Sequence, residues 1–449
     1  MFHQKLNPMT TNSTQAKQQK KKIQEQIAKI PFNKLARESG FKKRKKKKID
    51  GRNLLTSFFM MGLDGKASYR NWAIYLHEVI HQIVSPVGVW KRVTGQWSQF
   101  LWLVLQSSLK LQIAAPTGKK SCSLFKGFKR VLLQDSTSIG LPVCVNKFFP
   151  GNRSKGKQLA GAKIQSVYDL LSGCFCHFAL TAYTYNDQRA AQRITSIAHK
   201  GDLVIRDLGY MVLNCFRQML EKDIDFVSRY KYGIKLYDTQ TGQHLNLLKL
   251  LRKKTDIDLW VIAGDAERLK VRIVAVKLPG KVALERKRKA AQHHNKRLNH
   301  SKEYMQLLSY GIYITSVKEE QWNYLEVVES YSFRWRIETI FKCWKSHFNV
   351  DSLIPQSTLL TKARVEGIIY AMLIFVTLFQ VHFYNYFATK VKERTGQFLS
   401  LIKLCEFIET HLVWMIESTL QKVEDAVSYY CRYDKRSERK NYMEKIMLS

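Results

Sequence analysis

Acidic residues are scarce in this 449-residue chain: 36 Asp and Glu stand against 74 Lys and Arg, a formal net charge of +38. A globular chain this basic repels itself unless it meets a polyanion. An enzyme with one basic pocket for a small acidic substrate has no use for such an excess. Nucleic acid is therefore the leading partner and a membrane surface the second. Long hydrophobic runs are missing too. The most apolar stretch, Ile368 to Val381, includes Gln380 and falls short of the roughly 20 residues that cross a bilayer. It reads as a buried helix, and no membrane is expected. The N-terminus lacks the apolar core of a signal peptide. The eight cysteines are scattered rather than grouped, which excludes a disulfide scaffold and suits a reducing cytoplasm. Cys174 and Cys176 stand close, but no second Cys/His pair follows at zinc spacing. Apolar side chains are not scarce: at 45% they suffice for a sizeable core and exclude wholesale disorder.

Composition and periodicity divide the chain. Residues 1–50 hold 15 Lys/Arg against 3 acids, with seven consecutive bases from Lys42 to Lys48. They read as a flexible arm that grips phosphates. From 51 to 120 the apolar residues recur three and four apart, so helices are expected, with Ser85-Pro86 as a start signal. A small helical DNA-binding domain fits this stretch. The pattern then turns to strands: Arg130 to Leu133, and a hairpin of Lys163–Asp169 with Cys174–Tyr185 turning at Leu171-Ser172-Gly173. A helix over 186–200 and a short strand from Asp202 to Ile205 follow. Further β-like runs (DFVSRY, GIKLYD, DLWVIA, KVRIVAVKL, GIYITSV) are interrupted by a basic stretch from Lys281 to Lys302. Tyr324 to His347 reads as one helix with a possible interruption, and the remainder from Thr361 is mostly helical.

Two features carry chemistry. Asp135 and Asp207 each sit just beyond a short apolar run. A strand end is a good place for a metal ligand, although such an Asp is equally a turn former or helix cap. In YSFRWRIETIFKCWKSHF, residues 331–348, Tyr331, Arg334, Glu338 and Lys345 fall on one helix face, with Lys342 near the same stripe. That face mixes one acid with an aromatic hydroxyl and three cations. A solvated face with a Glu338–Lys342 salt bridge would look the same. Periodicity does not choose between the two. Cys343, Trp335 and Trp344 are expected to be packing residues.

The spacing Tyr331-(2)-Arg334-(3)-Glu338-(6)-Lys345 resembles the signature of bacterial insertion-sequence transposases of the DDE type, in the RNase H-like/retroviral-integrase superfamily. QDST at 134–137 is similar to the segment holding that family's first aspartate, IRDLGY at 205–210 to the second, and FVSRYK at 226–231 to the entry of its β-rich insertion. The resemblance covers about 120–385. It implies an α/β fold: an RNase H-like catalytic domain, a mixed sheet flanked by helices, in two parts, 121–222 and 318–385. A β-rich insertion at 223–317 would split them, and a helical region at 386–449 would offer a dimer interface. It further implies that Asp135, Asp207 and Glu338 are catalytic and hold two Mg²⁺ (or Mn²⁺) ions, Asp135 bridging both. Tyr331, Arg334, Lys345 and, less directly, Lys342 would grip phosphates, and Tyr310 would either stack on a displaced base or pack in the core or at a sheet edge. The expected activity is cleavage of double-stranded DNA at inverted-repeat ends and joining to target DNA, by a homodimer in a paired-end complex. The expected location is the bacterial cytoplasm, at the nucleoid. Since Tyr310 and Tyr313 stand where relatives use another aromatic, a hairpin intermediate is left open. The alternative is a catalytically silent, regulatory protein that binds transposon ends.

Overall fold

The computed structural model describes residues 29–43, 49–65, 67–114, 123–154, 156–292, 301–348, 352–355 and 357–433. Most of the basic arm, with Arg44 to Lys48, lies outside them, as do His293, His294 and the last residues of the C-terminal region.

Apolar side chains alternating along β-branched-rich segments build strands β1 (Val131–Leu141), β2 (Pro150–Ser154), β3 (Lys157–Asp169), β4 (Cys174–Ala182), β5 (Leu203–Arg206), β6 (Asp225–Arg229), β7 (Leu236–Asp238), β8 (His244–Leu245), β9 (Ile257–Ala263), β10 (Leu269–Lys277) and β11 (Tyr310–Thr315). Among the described residues these form one mixed sheet in the order β2-β3-β1-β5-β6-β11-β10-β9-β7-β8, with β4 also on β3. The pairs β1–β5 and β5–β6 are parallel; the others are antiparallel. The expected hairpin is present, and Gly173 supplies the positive φ (69°) that its turn needs. The strands within 223–317 do not stand apart: β6 pairs with β5, and β7 to β11 continue the same sheet outward.

One departure bears on the site. β1 does not stop near Leu133 but runs through Asp135 to Leu141. Its polar half (DSTS) stays in the sheet because β3 pairs with it along its length, from Leu132↔Asp169 to Leu141↔Ala160.

The N-terminal region folds as α1 (Phe32–Glu38), α2 (Gly51–Leu63), α3 (Tyr69–Ile80), α4 (Pro86–Trp90) and α5 (Gly95–Ala114). Asp50, Ser68 and Ser85 cap three of these starts through their side chains. Around the strands lie α6 (Asp187–Ala191), α7 (Leu213–Leu220), α8 (Leu247–Lys253), α9 (Gly280–Ala291) and α10 (Lys302–Leu307). Then follow α11 (Tyr324–Ser332), α12 (Trp335–His347), α13 (Lys362–Leu378), α14 (Asn385–Thr395), α15 (Leu401–Glu417) and α16 (Leu420–Tyr430).

Strand alternation gives the sheet two buried faces. Val131, Leu133, Leu203, Ile205 and Val227 join one core with Ile337, Ile340, Phe341 and Trp344 of α12, the helix that packs on β1. Leu132, Val204 and Phe226 face α7, where Phe216 stacks on Phe226 at 4.0 Å between ring centroids. The α12 core continues without a break into α1–α5 and α13, so the N-terminal helices do not pack as a separate body. Gly367 of α13 admits Trp97 of α5 so closely that a Cβ there would lie 3.1 Å from the indole. The apolar stretch from Ile368 is an interior helix. The continuous helix that holds it, Lys362–Thr395, is longer than the apolar run and by length and composition could cross a membrane, but most of its apolar part is buried against α5 and its neighbours.

Candidate active site

The register of the parallel strands places the first two acids. The β1–β5 ladder ends at Gln134↔Arg206. Asp135 and Asp207 are the next residue on each chain, so they stand side by side where the ladder opens. Asp135 shares the parity of Val131 and Leu133, and Asp207 that of Leu203 and Ile205, so both lie toward α12. Asp135 is thus a mid-strand residue beside an opening, not the strand-end residue expected. Asp207 caps the 3₁₀ turn Leu208–Tyr210, accepting from the Gly209 N–H at 3.4 Å.

The third acid comes from the helix. α11 and α12 are separated at Phe333-Arg334, where the backbone keeps helical angles but the N–H groups of Phe333, Arg334 and Arg336 bond three residues back. Glu338 therefore lies in the first turn of α12 with Arg334 one turn before it. Arg334 forms a short salt bridge to Glu338, lies 3.6 Å from Asp135 through Nη1, and lies 3.7 Å from Asp207 through Nε. One guanidinium thus gathers the three acids predicted to act together. Lys342, the partner of the alternative salt bridge, is exposed on α12.

The electrostatics follow from burial. Asp135 is pushed up to about 7, first because burial disfavours its charge, then through repulsion by Asp207 and Glu338. The Ser136 N–H, 2.8 Å from its Oδ1, and Arg334 pull the other way. Burial opposes the charge on Arg334, but Tyr331, Asp207 and Glu338 more than offset it and raise its pKa. The Tyr331 ring packs on Tyr313 at 5.2 Å, and its buried hydroxyl has no hydrogen-bond partner among the described residues. Burial raises that hydroxyl's pKa, so it is a neutral O–H donor beside the acids. Lys345 Nζ donates to the Ser138 carbonyl at 2.7 Å, which fastens α12 to β1 three residues beyond Asp135.

Two expected residues sit elsewhere. Tyr310 lies on the other face of the sheet, packed with the α7 core, and its hydroxyl donates to the Leu251 carbonyl at 3.4 Å. Its neighbour on the trio's side is Tyr313, three residues on, whose odd-numbered separation flips the face. Trp335 is not a packing residue: it is 60% exposed, with the Arg334 guanidinium 5.4 Å from its ring, whereas Cys343 and Trp344 are buried as expected.

Two cations are not singled out by the sequence, although the basic stretch from Lys281 to Lys302, which includes Arg286, reads equally as a solvated segment or a contact to the DNA backbone. Arg229 on β6 pairs with Tyr313 on β11, and Arg286 on α9 donates to the Tyr310 carbonyl at 3.2 Å. Burial and then the Arg229 guanidinium hold Arg286 below its ordinary pKa, so the two cations are neighbours. Among the described residues neither forms a salt bridge. FVSRY and the basic stretch from Lys281 held the only signal, a base count, which does not reveal that a strand and a helix 57 residues apart in sequence share a corner.

Among the described residues no three acidic, His or Cys side chains form a ready-made metal cage. The donor set does fit a hard divalent ion. It is all carboxylate oxygen, and its least exposed member is shifted toward protonation despite the Ser136 N–H and the Arg334 guanidinium.

An acidic trio thus stands at the open end of a parallel strand pair, faced by a helix and held by Arg334. A family model described as "Transposase DDE domain" matches residues 126–374, and the chain belongs to this family of DNA-cleaving and DNA-transferring enzymes. Among curated proteins the chain is similar to the transposase for insertion sequence element IS231D of Bacillus thuringiensis subsp. finitimus, 27% identical over 89% of this chain and 87% of that one. It is also similar to the transposase for insertion sequence element IS421 of Escherichia coli, 27% identical over 73% of this chain and 85% of that one. Among solved structures, the piggyBac transposase synaptic complex with hairpin DNA aligns with 93% of this chain and 85% of that one, at 10% identity and a TM-score of 0.43.

Proposed function

We propose that this transposase cleaves the inverted-repeat ends of an insertion sequence and joins them to target DNA, with Asp135, Asp207 and Glu338 as its catalytic, metal-holding residues on an RNase H-like core. The observation that carries this is the convergence of those three acids, from two strands and a helix, on Arg334. Two Mg²⁺ (or Mn²⁺) ions held there would supply an activated water or 3′-hydroxyl and neutralise charge on the leaving oxygen. The protein's own groups do the rest. Asp135, in the mouth of the ladder, has its carboxyl raised to about 7 by burial, so a bound cation would favour its charged form. Arg334 suits a bidentate phosphate contact, and Lys345 that of a point charge. The unpartnered Tyr331 hydroxyl donates to a phosphate oxygen, and Arg229 and Arg286 extend this cationic wall along the backbone. Trp335, exposed beside Arg334, offers the DNA an aromatic face.

The charge of +38 serves to hold two ends and a target around this acidic pocket. Pairing two ends requires a homodimer, for which the helices of 386–449 are the candidate surface, and the work is done in the bacterial cytoplasm at the nucleoid. The test is incubation of full-length protein with end-containing DNA and Mg²⁺. Nicking that disappears in Asp135→Asn, Asp207→Asn and Glu338→Gln, with binding kept, is the expected result. Binding without nicking by wild type would instead establish the regulatory end-binding alternative.

A further inference from the structure

A fourth acid next to the trio remains without a role. Asp187 opens α6, whose start is capped by Asn186 through the Arg189 N–H. From there it reaches the back of the sheet. Its Oδ1 accepts from Ser136 Oγ at 3.0 Å, Gln165 Nε2 at 3.0 Å and Lys163 Nζ at 3.1 Å. Ser136 follows Asp135 on β1, and Gln165 is the residue paired with Ser136 on β3. The other carboxylate oxygen of Asp187 meets Gly209, two residues after Asp207. A Cβ on Gly209 would sit 3.2 Å from Oδ2 and 3.4 Å from the Cβ of Asp187, so the backbone of the Asp207 turn rests on this side chain. The next residue, Tyr210, is buried and donates its hydroxyl to Gln165 Oε1 at 2.5 Å.

These contacts occur where the backbone stops doing the work. Ladder bonds join β1 to β5 only as far as Gln134↔Arg206. Beyond that rung no ladder pair joins the two chains among the described residues, and side-chain contacts bridge Asp135 and Asp207. The Arg206 side chain steadies the turn from within, donating to the Tyr210 carbonyl at 3.0 Å, but among the described residues it makes no hydrogen bond to β1. Asp187 touches both chains, one residue after Asp135 and two after Asp207. Hydrogen-bonded to three donors, it is stiff as well as close.

We infer that Asp187 is a positioning residue that sets the spacing of Asp135 and Asp207 and thereby the affinity of the site for a divalent ion. The inference rests on the metal-holding role proposed above for those two acids. Groups that orient metal ligands in this way typically change metal affinity by tenfold or more when removed.

The experiment measures Mn²⁺ binding to the full-length protein by calorimetry, with thermal melting and duplex-DNA binding alongside, for wild type, Asp187→Asn, Asp187→Ala, Ser136→Ala and Asp135→Asn. Asp187→Asn is expected to melt within a few degrees of wild type and bind DNA normally, yet hold Mn²⁺ about tenfold more weakly. Ser136→Ala, which removes one of the three donors, should weaken it by less. A merely structural role would lower the melting temperature and leave the Mn²⁺ affinity of the folded protein unchanged, and that result overturns the inference. If Asp135→Asn abolishes Mn²⁺ binding while Asp187→Asn keeps it at wild-type strength, only the positioning role falls. If Mn²⁺ binding survives Asp135→Asn, the metal-holding role of the acids falls and the positioning role with it.

Discussion

Arg334 reaches Asp135 at 3.6 Å from a helix that packs across the sheet carrying the aspartate. The contact joins the least exposed of the three acids to the cation that also holds the other two. Without a divalent ion this arrangement is a compromise. One guanidinium faces three carboxylates, and Asp135 answers by rising to about 7.

That compromise predicts a trade between stability and activity. Asp135 binds its proton more tightly in the folded chain than in the unfolded one, where an Asp titrates near 3.9. The folded state therefore carries the extra proton between about pH 4 and 7, and metal-free stability falls as pH rises through that window. Asp135→Asn removes the charge that must otherwise be desolvated. The variant should be more stable than wild type at pH 7.5 in EDTA, by on the order of 2 kcal/mol, and should lose this advantage near pH 4. Mg²⁺ should stabilise wild type and leave the variant's melting temperature unmoved, while cleavage is abolished. Equal melting temperatures of the two proteins in EDTA across that range would refute the account of Asp135.

Removing the cation has the opposite sign. Arg334→Gln leaves three carboxylates without a counter-charge in a half-buried setting. Breaking a buried ion pair from one side costs about 3–5 kcal/mol. A fall of several degrees in melting temperature is expected in EDTA, largely recovered by adding Mg²⁺. Arg334→Lys should recover only part of it, because one ammonium cannot present donors to Asp135, Asp207 and Glu338 together. If Arg334→Lys matched wild type in both melting and cleavage, the three-way contact would be irrelevant.

DNA affinity should depend steeply on salt, since each neutralised phosphate releases counterions. Arg229 and Arg286 lie near Tyr313 and Tyr331 without a salt bridge among the described residues, so their charge is available to phosphate. Arg229→Ala and Arg286→Ala should each weaken end-DNA binding and lower the slope of log K against log salt by about 1, with little effect on melting temperature. A slope that stays unchanged in both variants would remove them from the interface.

How much of this was legible follows from which interactions are local. The face carrying Arg334 and Glu338 was readable because helical spacing fixes it. The aspartates were readable as residues bordering apolar runs, but the course of β1 past Asp135 was not. Its polar half is held by β3, and pairing between strands leaves no mark on a single segment. Asp187 looked like any residue at a helix start, since Asn186-Asp187 is ordinary capping chemistry. Its three partners lie 22 to 51 residues away. Trp335 was read as core because tryptophan usually is; its place at the first turn of α12, outside the sheet contact, exposes it. The sheet-wide continuity of 223–317 likewise depends on β5–β6 and β6–β11 pairing, which alternation within each strand does not announce.

The shared core of the N-terminal helices and α13 leads to a last expectation. Trp97 of α5 is fully buried, packs with Phe41, Trp72 and Phe100, and fills the notch at Gly367. Replacing such a side chain by alanine costs about 3–5 kcal/mol through lost burial and the cavity left behind. Because α2, α5 and α13 are one hydrophobic body, that loss should be felt on both sides of the chain. In Trp97→Ala, hydrogen exchange should quicken in 95–112 and in 362–378 alike, while the amides of β9 and β10, at the far end of the sheet, stay protected. Faster exchange confined to 32–112 would mean that the N-terminal helices open as an independent unit and that the packing of Trp97 on Gly367 carries no coupling.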